Sequence, residues 1–479
     1  MVSYESFEPL LRVLPEVPRP PTRLPFRTRL LWTGVVLVLY LVMSQVPLYG
    51  ISYSPSLVQR LFFLQIVLAS RRGTLMELGI GPIVTSGLIW QILVGSRIIK
   101  LDLSSPKGRS LFTGLQKLFA IVFTFVEALA YIVGGMYGPL PTSTAVLVFA
   151  QLVSATLLLL LMDEMLQKGW GIGSGISLFI AAGVAQQMFW QLFSPVGPLG
   201  DGLYVGVVPS LIYAVANATA TGDWGVLSKV VVRPSALPDL IGLAATVVLF
   251  VALLYLENMR IEVPVAASRY GGLRTKIPFK FLYVSNVPVI LVSALLADIH
   301  IFSRLAWARL NSDNSNPWFN LIAMYRATEA GLEPLPGCLV YYLSPPSGIM
   351  AVMEDPLRFV VHALTFIALS VAFSIAWVET SGMDPRSQAR QLVDAQLVVP
   401  GFRRSARVLA SLLERYIPVL TIVSGLVVGS IAVLSNLFGV LGTGIGLLLM
   451  IDIILQYQGL IMQERILEMY PALRRLVGR

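Results

Sequence analysis

Long apolar stretches alternate with shorter polar stretches along almost the whole chain. Each apolar stretch is about 17 to 28 residues long, which is the length that an α-helix needs to cross a bilayer. We predict ten such helices, in residues 30–47, 76–99, 111–135, 143–166, 172–193, 238–258, 281–303, 357–379, 414–436 and 439–464. The pattern therefore predicts an all-α polytopic membrane protein.

The first two predicted spans are joined by a shorter apolar segment, residues 54–70, which Gln59, Arg60 and Gln65 interrupt. This segment is too short and too polar to cross the membrane. One interpretation is an amphipathic helix on the outer membrane surface. The other is a half-helix folded back among the spans, because irregular structure at membrane depth needs surrounding protein or a water-filled cavity.

A polar-leaning connector, residues 194–237, separates the first five predicted spans from the last five. Because an odd number of spans turns a second copy upside down, the count predicts two pseudo-symmetric halves with inverted topology, residues 30–193 and 238–464. The remaining segments are predicted to be cytoplasmic, namely the N-terminal segment 1–29, the loops 259–280 and 380–413, and the tail 465–479.

Composition and charge agree with this interpretation. Of the 479 residues 56% are hydrophobic and only 13% are charged, against about 25% charged in soluble proteins. A soluble multi-domain protein is therefore excluded. Of the 35 basic residues, 24 fall on the side of the predicted membrane that holds both termini and nine on the other side, so the positive-inside rule places both termini in the cytoplasm.

The residues that usually carry catalysis or bind metals are scarce. The chain has a single cysteine, Cys338, and two histidines, His300 and His362, so we predict no disulfide, metal or other cofactor. No GxxxxGK[S/T] sequence occurs, and the glycine-rich stretch Gly171–Gly175 opens the fifth span, where close helix packing is its expected role. The chain is therefore not expected to be an enzyme.

Ionisable residues at membrane depth are costly and are candidates for function. Glu127 falls in the middle of the third span, and we expect Thr85 and Asn286 to be its hydrogen-bond partners. Asp298 is placed with His300 near the outer end of the seventh span, where an interfacial position is expected.

Further charged positions lie toward the cytoplasmic side. Asp452 follows Asn436 by 16 residues, about 24 Å along a helix, which predicts a solvated vestibule residue. The loops around 262–280 and 380–407 are long and basic. They are explained either by positive-inside retention or by docking to an acidic partner such as an RNA backbone or anionic lipid.

Several blocks of sequence, in one order along nearly the whole chain, resemble the SecY family in its archaeal and eukaryotic branch. This family is the large, pore-forming subunit of the Sec protein-conducting channel. The blocks include Leu14-Pro15-Glu16-Val17, Trp32-Thr33-Gly34, residues 45–51 (QVPLYGI), residues 78–85 (LGIGPIVT), residues 171–176 (GIGSGI), residues 283–290 (YVSNVPVI), Trp377-Val378-Glu379-Thr380, Asp384-Pro385-Arg386 and Pro400-Gly401-Phe402-Arg403.

The resemblance implies ten helices in two halves that are hinged between the fifth and sixth spans and open sideways toward lipid. Residues 54–70 would then form a plug. The implied pore ring comprises Ile80, Val84, Ile176, Ile180, Ile290 and Leu449, with Leu448 as the alternative on the tenth span. Thr85, Glu127 and Asn286 match the polar cluster of the lateral gate.

The resemblance also implies partners. The basic loops would dock the ribosome through its rRNA, with the candidate residues Arg269, Arg274, Lys276, Arg386, Arg403 and Arg404. Small single-span subunits resembling SecE and the β or γ subunit are implied as well. The expected function is to pass unfolded secretory polypeptides across an archaeal cell membrane, rather than an endoplasmic reticulum membrane, and to release hydrophobic segments into lipid.

Two other classes of membrane protein fit part of this pattern. A secondary transporter of a small solute also has inverted repeats and broken helices, but it usually needs a midplane ion-coupling site and has no use for long basic loops. A non-conducting scaffold or insertion factor has no need for an apolar ring and a plug.

Overall fold

The structure, a computed structural model, describes most of the chain. The described residues are 14–22, 24–51, 73–95, 98–99, 101, 106–134, 137, 140–198, 202–233, 237–267, 273–284, 287–328, 331–346, 348–394, 397–398 and 405–469. The predicted plug segment 54–70 lies outside these residues.

Five helices make up the first half. They are α1 Phe26–Met43, α2 Gly81–Gly95, α3 Pro106–Val133, α4 Thr142–Met165 and α5 Gly175–Phe193. A π-helical turn, Leu166–Trp170, continues α4. The connector then holds two short helices, α6 Val207–Thr221 and α7 Gly225–Val231.

The second half begins at α8, where the Asp239 side chain caps the helix by accepting a hydrogen bond from the Gly242 N–H at 2.6 Å. Its elements are α8 Leu240–Asn258, β1 Arg260–Ala267, β2 Leu273–Lys280, α9 Val287–Leu310, α10 Pro317–Ile322, β3 Tyr325–Thr328, β4 Gly331–Pro334, α11 Leu339–Leu343, α12 Ile349–Glu354, α13 Pro356–Thr380, α14 Pro385–Asp394, β5 Leu397–Val398, α15 Ala406–Leu413, α16 Ile417–Leu437 and α17 Gly444–Met469.

Among the described residues, nine helices are long and apolar enough to cross a membrane, and α2, at the second of the ten predicted spans, is a shorter apolar helix. The all-α membrane fold is thus confirmed, whereas the predicted length of the second span, 76–99, is wrong. Gly79 has a φ of 55°, a left-handed conformation that a helix cannot contain. The chain therefore turns until Gly81, and α2 has only 15 residues.

The loop between α9 and α13 is more elaborate than the sequence indicates. It holds three short helices and a β3–β4 hairpin in which Tyr325 pairs with Pro334. Asparagine side chains fix its turns: Asn314 Nδ2 donates to the Tyr325 carbonyl at 3.0 Å, and Asn311 Nδ2 donates to Asn320 Oδ1 at 2.7 Å. This loop closes one end of α9 and α13.

The two halves meet along two interfaces. At one, α5 packs against α17; at the other, α9 packs against α2 and α3, and α13 also packs against α2. We call them the α5–α17 seam and the α2/α3–α9 seam. Buried aliphatic and aromatic side chains from both halves form a continuous apolar core between them.

Candidate functional site

The α2/α3–α9 seam contains a buried polar group of three side chains. Thr85 on α2 donates from Oγ1 to Asp298 Oδ2 on α9 at 3.1 Å. Glu127 on α3 is buried, its Oε1 has no hydrogen-bond partner among the described residues, and the Asp298 carboxyl is close enough to interact with it electrostatically. The seam therefore brings together two acidic groups and one hydroxyl.

This geometry corrects two predictions. Thr85 pairs with Asp298 rather than with Glu127, and the other expected partner, Asn286, lies outside the described residues. Asp298 and His300 were expected at the membrane interface, but α9 continues to Leu310, buries His300 and leaves Asp298 half-buried within the bundle. The sequence did carry one signal: Asp298 follows Ile290 by eight residues, a spacing that keeps two side chains near the same helix face.

One part of the seam is lined by small apolar side chains. Ala294 and Ala297 on α9 are buried against Val84 on α2, and residues this small let two helices approach closely. On the other side, α2 is joined firmly to α3, because Ser86 Oγ donates to the Gln116 carbonyl at 2.6 Å. The pair α2 and α3 thus faces α9 as one unit.

The six residues predicted for the pore ring come from four elements of both halves. Ile80 directly precedes α2 and Val84 lies on it, Ile176 and Ile180 lie on α5, Ile290 lies on α9, and Leu449 lies on α17. All six belong to, or pack against, the same apolar cluster, as does the alternative residue Leu448. The chain folds so that these aliphatic side chains share one region, and the assignment of a ring within it stays a prediction.

The glycine-rich stretch that opens α5 serves close packing, as predicted. A Cβ added at Gly173 would lie 2.8 Å from Cζ of Tyr457, and the Tyr457 hydroxyl donates to the Ser174 carbonyl at 2.7 Å. Asp163 on α4 caps the start of α5 by accepting from the Ile176 N–H at 3.0 Å. The turn therefore fixes α5 against α4 and α17.

The two basic loops form one folded unit. Strand β1 pairs with β2 on one side and with β5 on the other, so the loop after α8 and the loop after α13 share a three-stranded sheet. The Tyr283 hydroxyl donates to the Met383 carbonyl at 2.8 Å. Burial and the nearby Asp384 raise the pKa of Tyr283 to about 12, so this hydroxyl keeps its proton and its donor role across physiological pH.

Some of the docking candidates lie on described elements of this unit. Arg386 and Arg390 are exposed and four residues apart on α14, so they share a helix face. Lys276 on β2 is exposed and forms an ion pair with Glu262. Arg274 lies on β2 opposite Ala266, whereas Arg269, Arg403 and Arg404 lie outside the described residues.

An ion-paired group fixes the base of the β1–β2 hairpin. Lys280 Nζ lies 3.3 Å from Glu257 Oε2 on α8 and 3.3 Å from Asp452 Oδ1 on α17. Asp452 was expected to be a solvated vestibule residue, and that prediction is wrong because its side chain is buried in an ion pair. The pairing joins residues 172 positions apart, which no local pattern reveals.

The segment before α1 lies against the end of α4 and the turn that follows it. Lys168 pairs with Glu16 and with Glu164, and the Trp170 indole donates to the Pro18 carbonyl at 2.8 Å. The hydrogen bond from Lys168 holds the pKa of Glu16 below its ordinary value. Arg29 at the start of α1 pairs with Glu464 at 2.8 Å, so the beginning and the end of the bundle meet at this side.

Two known protein families and a related protein match this chain. The family profile SecY matches residues 74–458, and the profile described as the plug domain of Sec61p matches residues 38–73. The chain is 42% identical to the protein translocase subunit SecY of Aeropyrum pernix over 97% of this chain and 96% of that protein.

Two solved structures have a fold similar to that of this chain. One, described as the structure of a protein conducting channel, has 36% identity and a TM-score of 0.79 and covers 97% of this chain and 98% of that chain. Another, Sec61 in the canine ribosome-channel complex from the endoplasmic reticulum, has 36% identity and a TM-score of 0.76 with the same coverage. The sequence resemblance is confirmed, and the chain belongs to the SecY family.

Proposed function

We propose that the chain forms a protein-conducting channel that moves unfolded polypeptides across a membrane and releases apolar segments sideways into lipid. The observation that carries this proposal is the aliphatic cluster between the halves, to which α2, α5, α9 and α17 all contribute. A narrow ring of aliphatic side chains excludes water and ions when no polypeptide fills it. In this function the chain catalyses no covalent reaction.

Within the cluster, the proposed constriction consists of Ile80, Val84, Ile176, Ile180, Ile290 and Leu449. Of these, Ile80, Ile180 and Leu449 are at most 1% exposed, as is the alternative residue Leu448. Movement of the halves relative to each other would widen the ring, because its members are divided between them. The segment 54–70 is proposed as the plug of the closed channel.

The lateral exit is proposed at the α2/α3–α9 seam, with Thr85, Glu127 and Asn286 as its polar cluster. In the closed state the polar groups are buried between helices. An apolar signal segment competes by offering its own surface to the small apolar residues of the seam. Opening is then a two-state change that the signal segment biases.

The folded unit of the two basic loops is the proposed ribosome-docking surface, with Arg386 as its best-matched residue. Its exposed arginines would contact rRNA phosphates, which bind mainly through charge. SecE-like and small β- or γ-like single-span subunits are proposed partners. The driving force would come from chain elongation on a docked ribosome or from another motor.

The proposed location is an archaeal cell membrane with both termini in the cytoplasm. The excess of basic residues on the side of the termini supports this orientation. The N-terminal segment, the end of α4 and the end of α17 lie together at that side, through the Lys168–Glu16 and Arg29–Glu464 pairs.

Site-specific photo-crosslinking tests the channel directly. A photoreactive residue at Ile290 is expected to crosslink to a secretory nascent chain on a stalled ribosome engaged with the membrane. The same probe at Val248, an exposed position of α8, is the matched control and should give no crosslink to the nascent chain. Absence of the Ile290 crosslink, together with absence of ribosome binding, would favour the small-solute transporter and contradict the proposal.

The docking surface has its own test. Replacing Arg386 and Arg390 by Glu is expected to weaken ribosome binding and to make that binding less sensitive to salt, by about one unit of slope for each rRNA phosphate that is no longer neutralised. Arg309→Glu, an exposed position at the end of α9, is the control. Equal binding of the variant and the parent chain would contradict a role of α14 in docking.

A further inference from the structure

We propose that α6 is seated in the outer leaflet of the bilayer, where its exposed apolar face contacts lipid. The connector between the two halves is then a membrane anchor rather than a loop in water. This surface takes no part in the proposed pore, lateral exit or docking surface. That the leaflet is the outer one rests on the proposed orientation, in which both termini are cytoplasmic.

The connector as a whole is polar-leaning, but its charged residues are unevenly placed. Residues 202–222, which include all of α6, hold no charged residue. At the charged fraction of soluble proteins, a stretch of this length would carry about five. The charges of the connector lie outside this stretch, at Asp201, Asp223, Lys229 and Arg233. The composition of α6 is therefore that of a helix in apolar surroundings.

The two faces of α6 have the reverse polarity of a helix in a soluble protein, which buries its large apolar side chains. The helix buries mostly small side chains, namely Val207, Ser210, Ala214 and Ala218. Its exposed residues include Ile212, Tyr213 and Val215, and Ile212 is 65% exposed. The larger apolar side chains thus point away from the rest of the protein.

Polar groups lie on the covered side of α6. Arg233 is buried, and its Nη1 donates to the Tyr204 carbonyl at 2.8 Å. The Ser210 hydroxyl donates to the same carbonyl at 2.6 Å. These bonds hold the start of α6 against the end of the connector. The connector is therefore polar inside and apolar outside, which suits a protein surface that faces lipid rather than water.

The start of α6 lies beside the end of a membrane span. The helix packs against α5, and the Gly206 N–H donates to the Ser194 carbonyl at 3.0 Å, directly after α5 ends. Phe189, Trp190 and Phe193 at that end of α5 are exposed, as expected for residues of a span that face lipid. Thus α6 begins at a level where aromatic side chains of a span contact the bilayer.

The residues that follow α6 mark a border between lipid and water. Trp224 is 61% exposed, next to the exposed Asp223, and tryptophan is enriched where lipid headgroups meet water. Lys229 on α7 is also exposed. The order along the chain, from uncharged α6 through Trp224 to Lys229, is that of a passage from lipid to water. The bilayer is therefore the partner that this face fits.

Spin labels measure which phase surrounds α6. In a Cys338→Ala background, Ile212→Cys, Val215→Cys or Lys229→Cys carries a nitroxide, and the channel complex as purified is reconstituted in phosphatidylcholine vesicles. Oxygen dissolves in lipid, whereas a nickel chelate stays in water. The ratio of oxygen to nickel-chelate collision rates is expected to be several-fold higher at positions 212 and 215 than at position 229, which is the control in the same connector.

A second set of variants tests whether apolar contact with lipid holds α6 in place. The label is carried by Ala216→Cys, an exposed position on the same helix face as Ile212. Ile212→Asp together with Val215→Asp should raise nickel-chelate access to this label several-fold, because carboxylates are costly in lipid. Ile212→Leu together with Val215→Leu is the matched control and should leave the access unchanged.

Each outcome decides one point. Nickel-chelate access at positions 212 and 215 equal to that at position 229 would overturn the proposal by placing α6 in water. Low access to both reagents would overturn it in favour of a protein partner, and dipolar broadening between labels would identify that partner as a second copy of the chain.

The leaflet and the proposed function are tested separately. A membrane-impermeant thiol reagent added to intact cells should react with Lys229→Cys, and failure to react would overturn the assignment to the outer leaflet. None of these readouts depends on polypeptide export. Loss of the nascent-chain crosslink at Ile290 would therefore contradict the proposed function without changing the result for α6.

Discussion

The two interfaces between the halves are built differently. At the α5–α17 seam, contacts hold both ends of α5: the Tyr457 hydroxyl bonds to the Ser174 carbonyl at 2.7 Å, and Gln191 Oε1 accepts from the Gly442 N–H at 2.7 Å. At the α2/α3–α9 seam, the hydrogen bond joins two side chains, Thr85 and Asp298. The first seam involves the backbone and close glycine contacts, whereas the second depends on side chains that can separate without disturbing a turn.

This difference indicates which of the two seams can open when the halves move relative to each other. An interface that includes the backbone of a tight turn resists small displacements, because the turn must be rebuilt. An interface that is joined by side chains, with no tight turn in it, opens at the cost of its side-chain contacts and of the apolar area that they bury. We therefore expect changes at the α5–α17 seam to alter stability and changes at the α2/α3–α9 seam to alter gating.

The largest effect is expected at Gly173. It has a φ of 72°, and an added Cβ would lie 2.8 Å from Cζ of Tyr457. Gly173→Val should lower the free energy of unfolding by about 1–2 kcal/mol because a valine is strained in the left-handed conformation. Overpacking of the seam should lower it by about 1–3 kcal/mol more. The measurement is the thermal denaturation midpoint, which should fall. Gly382 has a φ of 71° and open space around its Cβ position, so Gly382→Val is the control for the backbone term alone. Equal losses in the two variants would mean that the seam is not tightly packed at Gly173.

Apolar replacement in the polar cluster should have the next largest effect, on gating rather than on stability. Glu127→Leu or Asn286→Leu is expected to relax the stringency for signal segments several-fold, because it alters a polar group that favours the closed state. The measurement is export of precursors with defective signal segments. If those precursors are exported no better than by the parent chain, the assignment of the lateral gate is wrong.

A smaller effect is expected from Tyr457→Phe, which removes only the hydroxyl that bonds to Ser174. The loss should be about 1 kcal/mol of stability, with no change in export of weakened signal segments. A Tyr457→Phe variant that relaxed stringency as strongly as Glu127→Leu would abolish the distinction between a fixed and a movable seam.

The smallest effect concerns pH and the segment before α1. The pKa of Glu16 is lowered by its bond with Lys168, so the pair stabilises this segment above the ordinary glutamate pKa of about 4.3, and the contribution is lost as pH falls through the lowered pKa. The Glu16 side chain is largely exposed, so solvent screening keeps the effect small. The protection of residues 14–22 against hydrogen exchange, measured relative to the intrinsic rate at each pH, should fall at acid pH in the parent chain, whereas Glu16→Gln should show the lower protection at all pH values.

The spans could be predicted from the sequence because a membrane-spanning helix needs a long, uninterrupted run of apolar residues. It placed α4 at 143–166, and the helix runs Thr142–Met165. It failed at α2, where a single left-handed glycine delays the helix. It also gave no hint of the β3–β4 hairpin, because short turns held by asparagine side chains leave no long periodic pattern.

Prediction of the site succeeded where a motif was local and failed where pairing was long-range. Thr85 and Glu127 were named from a motif and from depth in the membrane, and both lie in the seam. Their relation to Asp298 depends on how α9 packs against α2, and hydrogen-bonded partners 213 residues apart leave no trace in one sequence. Asp452 is the same case, because only the folded chain shows that Lys280 reaches it.

The Lys280 ion pairs have a mechanical meaning. Lys280 ends β2 and pairs with Asp452, which follows Leu449 by three residues, about 4.5 Å along the axis of α17. A force on the outer surface of the β1–β2 hairpin would therefore reach, through β2 and this partly exposed ion pair, the helix that contributes Leu449 to the aliphatic cluster. The base of the hairpin is thus joined to α17 at Asp452, less than one helical turn from Leu449 of the proposed pore ring.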